Sequence, residues 1–215
     1  MTSSTRYSWQ PLRAGPLKLD GGGMFGVIPR VIWSRAMAPD EKHRITVAHN
    51  CLLLTRIDER GKTHRVLIET GSGDKLDPKM REIFGLTDYT IVEALRDAGC
   101  RCEDVDRVIV SHLHFDHAGG LTRRVREGES PDWSDSSGAR VKLVFPNARI
   151  IAQMQEWHDA LANNSVMTRT LLSWRPDILA KSPFTLATPC VDAQTVTDSG
   201  CQSTTVPCVS SALWV

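Results

Sequence analysis

Between residues 106 and 120 the chain runs from a short apolar stretch, DRVIV, straight into SHLHFDHAGG. Three of the chain's seven histidines and an aspartate (His112, His114, Asp116 and His117) fall within six positions. A solvated loop gains nothing from such a cluster, and a core is penalised for burying unpaired polar groups. The apolar stretch has the length and β-branched content of a buried strand. The cluster therefore sits on a loop at a strand's end, where a rigid scaffold holds reactive groups.

The pattern is H-x-H-x-D-H. Side chains two apart on an extended backbone share a face, so His112 and His114 can address one ion. If the backbone then turns, Asp116 and His117 can address a second position, and Gly119 and Gly120 permit a sharp bend after them. Imidazole nitrogen with carboxylate oxygen suits zinc, and also manganese or iron. A chance match to four such positions is roughly one in several thousand, so a coincidental polar loop is the weaker reading.

The rest of the chain supplies a scaffold. RITVAHNCLLLTR (44–56) and THRVLIET (63–70) are β-rich runs around a turn at Asp58 to Gly61, which predicts a hairpin. LDPKMREIFGL (76–86) carries helix punctuation: Asp77 to cap, Pro78 in the first turn, Gly85 to close. TIVEALRDAGC (90–100) repeats it, with Thr90 and Glu93 as a capping box, and Ile91, Leu95 and Ala98 along one face. Glu93, Arg96 and Asp97 are then expected on the solvent face. DGGGMFGVIPRVIWSR (20–35) reads as a shaped loop followed by a short strand or helical turn. Residues 123–140 read as a polar connection, 141–145 and 148–153 as strands paired around Pro146 and Asn147, and 154–162 as a helix. His49 and His64 lack partners at ligand spacing and are expected to be polar-face or packed histidines, while His158, with Glu156 and Asp159 near it, is expected to be an exposed helix residue.

Composition narrows the function classes. With 26 basic against 25 acidic residues, the chain has no electrostatic footprint for nucleic acid or anionic lipid. No apolar run reaches transmembrane length, and residues 1–15 lack a signal-peptide core, so a cytoplasmic protein is expected. The six cysteines then read as free thiols. Cys100 and Cys102 lack the two-residue spacer of a zinc knuckle.

SHLHFDHAGG resembles the signature of the metallo-β-lactamase superfamily. VLIETGSG (66–73) is similar to that family's strand ending in Asp-Thr-Gly, with Glu69 in place of the usual aspartate. GGGMFGVIP (21–29) and HRITVAHNCLLL (43–54) look most like the branch of acyl-homoserine-lactone lactonases and related esterases and organophosphate hydrolases. The resemblance spans roughly residues 18 to 175 and implies an α/β fold, the αββα sandwich, with its N-terminal portion intact. It further implies two zinc ions, the first on His112 and His114 and the second on Asp116 and His117. A metal-bound hydroxide would be the nucleophile, with Asp116 taking up the proton, and Glu69 would support the ligand loop. The implied substrate is a small-molecule ester or lactone. The same motif serves β-lactam, thioester and phosphotriester hydrolases, and a non-catalytic remnant or binding protein is the reading from another class.

The family pattern requires three further ligands downstream: a histidine, a bridging aspartate and a final histidine. No histidine follows His158, and Asp177, Asp192 and Asp198 sit in no recognisable ligand motif. From Ala187 onward there is no lysine, arginine or histidine, while three of the six cysteines gather there. The expected organisation is an incomplete metallo-β-lactamase-like domain over 1–185 and an atypical tail over 186–215, a truncation or an altered reading frame. Weak zinc binding and poor lactone hydrolysis are expected in consequence.

Overall fold

In β2 (Arg44–Ile57), Ile45, His49, Cys51 and Leu53 are buried and the residues between them less so. This is the period of a strand with one covered face. The computed structural model describes residues 6–134, 140–162 and 184–187. The expected hairpin is present. β3 (Thr63–Ile68) pairs antiparallel with β2 from Ile68↔Leu52 to Thr63↔Ile57. In the turn, Asp58 accepts the backbone N–H groups of Arg60 and Lys62 at 2.9 Å.

A long first strand, β1 (Ser8–Asp20), was not legible in the sequence because Pro11, Gly15 and Pro16 interrupt it. It lies antiparallel to β2 at the sheet's edge, the position where proline is tolerated. Its register shifts between Arg13 and Pro16, where Gly15 takes φ 93°. This β-bulge changes which parity of residue faces inward: Leu12 and Ala14 are buried before it and Leu17 after it. The glycine-rich segment forms two short helices, α1 (Gly21–Phe25) and α2 (Arg30–Ala36), the first capped by Asp20 accepting from Gly23 N at 2.6 Å.

α3 (Pro78–Ile83) and α4 (Ile91–Asp97) begin at the predicted caps. Asp77 accepts from Met80 N at 2.9 Å, and the Thr90–Glu93 box is closed. Ile91 and Leu95 are buried as expected, joined by Ala94, and α4 packs on β1. Ala98 is half-buried. Arg96 and Asp97 are exposed, whereas Glu93 is half-buried because its carboxylate turns back to Thr90.

β4 (Arg107–Ile109) lies parallel between β3 and β8 (Arg149–Gln153), with β9 (Phe184–Ala187) parallel to β8 at the far edge. The large sheet thus runs β1-β2-β3-β4-β8-β9. The expected pairing of 141–145 with 148–153 does not form. β7 (Arg140–Leu143) instead joins β5 (Thr122–Arg124) and β6 (Trp133–Ser134) in a second sheet, ordered β5-β7-β6. The reason lies in the connection: Phe145 and Ala148 are buried on either side of the exposed Pro146 and Asn147, which pins this turn to the core where the chain changes sheets. Ile150, Ile151 and Ala152 form a continuous apolar run, suited to a parallel strand covered on both faces. β5 and β6 fall in the stretch read as a polar connection.

α5 (Phe115–Ala118) follows the large sheet's β4, and α6 (Met154–Ala162) follows β8. One core joins Leu12, Leu53, Leu67, Val108 and Ile150 of the sheet, Leu95 of α4, and Leu113, Ala118 and Leu121 of the histidine loop. The mixed α/β fold implied by the resemblance is the one observed. Among the described residues no helix is long and apolar enough to cross a membrane. The expected tail lies outside the described residues apart from Leu186 and Ala187, and Asp177, Asp192, Asp198, Cys190, Cys201 and Cys208 lie outside them entirely. Cys51, Cys100 and Cys102 are free thiols.

Candidate metal centre

The loop after β4 is anchored by the residues between the histidines. Val110, Leu113 and Phe115 are buried, and Phe115 packs on Phe84 with ring centroids 4.6 Å apart. Leu113 N also donates to Glu156 of α6 at 3.2 Å. His112 and His114 therefore emerge on one side, their ring centroids 4.5 Å apart. α5 then turns the chain, and the His117 ring comes within 4.0 Å of the His112 ring. Asp116 Oδ2 lies 3.4 Å from His117 Nε2, so all four residues share one locality.

A second segment, 69–73, holds the loop from behind. Glu69 bridges it: Oε1 accepts Ser111 N at 2.9 Å and Oε2 lies 3.1 Å from His117 Nδ1. Thr70 donates both its N–H and its hydroxyl to His117 O, at 2.9 and 2.7 Å, and Gly120 N donates to Gly71 O at 2.8 Å. The backbones approach so closely that a Cβ on Gly119 would collide with Ser72 O, and one on Gly120 with Thr70 O. Glu69 itself takes φ 66°, the left-handed region that a residue with a Cβ enters only under constraint. Lys75 reaches across as well, its ammonium donating to Gly119 O and Thr122 O.

The electrostatics divide the histidines. Burial pushes His112 down to about 4, aided by the charges of His117 and His114. Burial opposes charge on His117 too, but Asp116 and Glu69 at its two nitrogens outweigh it and raise it to about 9. Burial would raise the Asp116 carboxyl, yet His117 beside it holds it below its ordinary value. Ser111 Oγ lies 2.9 Å from His112 Nδ1, which leaves Nε2 as that ring's other nitrogen.

Imidazole nitrogens of His112, His114 and His117 and the carboxylate of Asp116 are metal donors in chemistry, and Asp116 and His117 face each other at 3.4 Å. Among the described residues, however, no group of three or more His, Cys, Asp or Glu side chains is arranged to hold an ion as it stands. His112 Nδ1 faces Ser111, and the two nitrogens of His117 face Glu69 and Asp116.

The other histidines behave as the sequence suggested. His158 is exposed, and His64 pairs with Asp58 at 2.9 Å. His49 is packed, but close enough to the cluster to feel the charges of Asp116 and His117. Sequence reasoning did not single out Ser72, Thr70, Lys75 or Ser111. The only signal for them was their place in the two segments, ETGSGDK and SHLHFDH, that the fold presses together.

Residues 44–137 match the family model of the metallo-beta-lactamase superfamily. Among solved structures, the chain resembles a probable metal-dependent hydrolase from Staphylococcus aureus at 27% identity and TM-score 0.67, covering 87% of this chain and 61% of that one. It also resembles an N-acyl homoserine lactone hydrolase bearing N-hexanoyl-L-homoserine at its catalytic metal centre, at 20% identity and TM-score 0.53 over 87% and 61% of the two chains. AidC, a dizinc quorum-quenching lactonase, matches at 20% identity and TM-score 0.56 over 86% and 59%. The chain thus spans about three fifths of the length of each of these structures. No curated protein matches it. The family match over residues 44–137, the fold and the HxHxDH loop agree: that part of the chain is similar to the metallo-β-lactamase superfamily.

Proposed function

We propose that the protein is a metal-dependent hydrolase of lactone or ester type whose metal centre, as this chain carries it, is weak. The observation that supports this is the meeting of His112, His114, Asp116 and His117 at the end of β4. In this reading His112 and His114 hold one zinc ion, and Asp116 and His117 the other. Zinc supplies Lewis acidity and acidifies water at such a site. Asp116 is the residue that holds a proton at its carboxylate during turnover. Glu69 orients His117 through Nδ1, the role that carboxylates play behind ligating histidines. The similarity to lactonases supports a small lactone or ester as substrate, and a β-lactam, thioester or phosphotriester uses the same donors.

The expectation of weakness rests on ligand count. Two protein donors per ion hold it less firmly than the three or more of a catalytic zinc site. A loosened nucleophile displaced by about 1 Å loses on the order of a hundredfold in rate. A lactone panel assayed with and without added zinc tests the reading, with His114→Ala as control. Slow, zinc-dependent hydrolysis abolished in the variant is expected. Zinc binding without hydrolysis of any ester would instead favour a binding protein on the same fold.

A further inference from the structure

His49 of β2 faces the bulge in β1, between the pairs Arg13↔Asn50 and Pro16↔Ala48. It is 6% exposed, and its neighbour Ser72 is 2% exposed. The two ring nitrogens have different partners: Nδ1 is 3.1 Å from Gly15 O, and Nε2 is 2.7 Å from Ser72 Oγ. A carbonyl only accepts, so Nδ1 carries the proton and Nε2 accepts the Ser72 hydroxyl. Burial keeps the imidazole below its ordinary pKa, consistent with this neutral tautomer. The bulge is what makes the arrangement possible, because it aims Gly15 O at a ring that regular pairing would leave without an acceptor. Gly71 packs directly on the ring's stem, where an added Cβ would sit 3.2 Å from His49 Cβ.

Ser72 belongs to the segment whose other residues grip the histidine loop. Glu69 and Thr70 hold His117, and Gly71 holds Gly120. The segment is therefore clamped on one side by the loop and on the other by His49. We propose that His49 and Ser72 form a positioning pair that fixes segment 69–73 to the β1–β2 hairpin and thereby sets the placement of His117. His49 is not a ligand in this account, because both of its nitrogens are used inside the fold. The inference rests on the metal-centre reading for its consequence, a lowered zinc affinity when the pair is broken.

Native-state hydrogen exchange separates the positioning role from general stability. Thr70 and Gly120 amides report on the clamp, and the Arg149 amide, bonded to Asp106 O, reports on the sheet away from it. In Ser72→Ala and His49→Leu, exchange at Thr70 and Gly120 should speed by roughly tenfold, the effect of one lost hydrogen bond, while Arg149 changes little. Zinc affinity, read by competition with a chromophoric chelator, should fall by about tenfold or more. His49→Gln, whose amide oxygen can accept the Ser72 hydroxyl, should recover much of both. Unchanged exchange at Thr70 and Gly120, a rise matched at Arg149, or unchanged zinc affinity would overturn the pair. Absence of zinc binding in the unaltered protein would overturn the metal reading itself, and the exchange data would still decide the clamp.

Discussion

Glu69 joins the two ends of the histidine loop: one carboxylate oxygen takes the Ser111 amide at 2.9 Å, and the other lies 3.1 Å from His117 Nδ1. It does so from a left-handed backbone conformation that the surrounding contacts impose. Glu69→Gln keeps the length but loses the charge that orients the imidazole. Zinc affinity in the variant should fall about 10–100-fold, measured by chelator competition. An affinity equal to that of the unaltered protein would show that the carboxylate does not tune the ligand.

Gly120 sets the closest approach between the two segments. A methyl group there meets Thr70 O, which is backbone and cannot step aside cheaply. Gly120→Ala should destabilise the protein by about 1–3 kcal/mol, the usual cost of forcing a packed backbone apart. Urea denaturation gives the value. A neutral result would mean that the segments separate freely.

Leu95 is fully buried between α4 and the large sheet, whereas its neighbour Arg96 is exposed. Leu95→Ala should therefore cost about 2–5 kcal/mol. Arg96→Ala should stay within about 0.5 kcal/mol, as surface substitutions usually do. Comparable effects in the two variants would contradict the assigned face of α4.

Glu129 ties the second sheet's loop together. It accepts both terminal nitrogens of Arg123 at 2.7 and 2.8 Å and Arg126 N at 3.0 Å, and these bonds lower its carboxyl from 4.5 to about 2. A depressed carboxyl contributes stability that is complete above its unfolded value and is lost as pH falls through the folded one. Thermal stability should thus decline between pH 4.5 and about pH 2, with Glu129→Gln showing a shallower decline over that window. The two profiles should be compared at low salt, and identical slopes would remove this loop from the acid response.

What the sequence made legible followed local rules. The β2–β3 turn, the caps at Asp77 and Thr90, the buried face of α4 and the shared side of His112 and His114 all depend on neighbours within a few positions. What it hid depends on contacts across the chain. β1 is masked by Pro11 and Pro16, which only an edge position tolerates. The partner of β7 is set by where Phe145 is buried, which no pattern around Pro146 announces. At the site, the histidine and aspartate cluster was readable from spacing, whereas the Ser72–His49 contact appears only when 69–75 meets β2, and the Lys75 contacts only when it meets 111–122.

The central claim is that His112, His114, Asp116 and His117 form a real but weakly held metal centre. Zinc content per chain after exhaustive dialysis, measured by elemental analysis on the unaltered protein and on His114→Ala, tests it most directly. The account predicts about one zinc ion or fewer in the unaltered protein, as expected for two protein donors per ion, and essentially none in the variant. Two tightly retained zinc ions with robust lactone turnover, or zinc retention indifferent to His114, would contradict it.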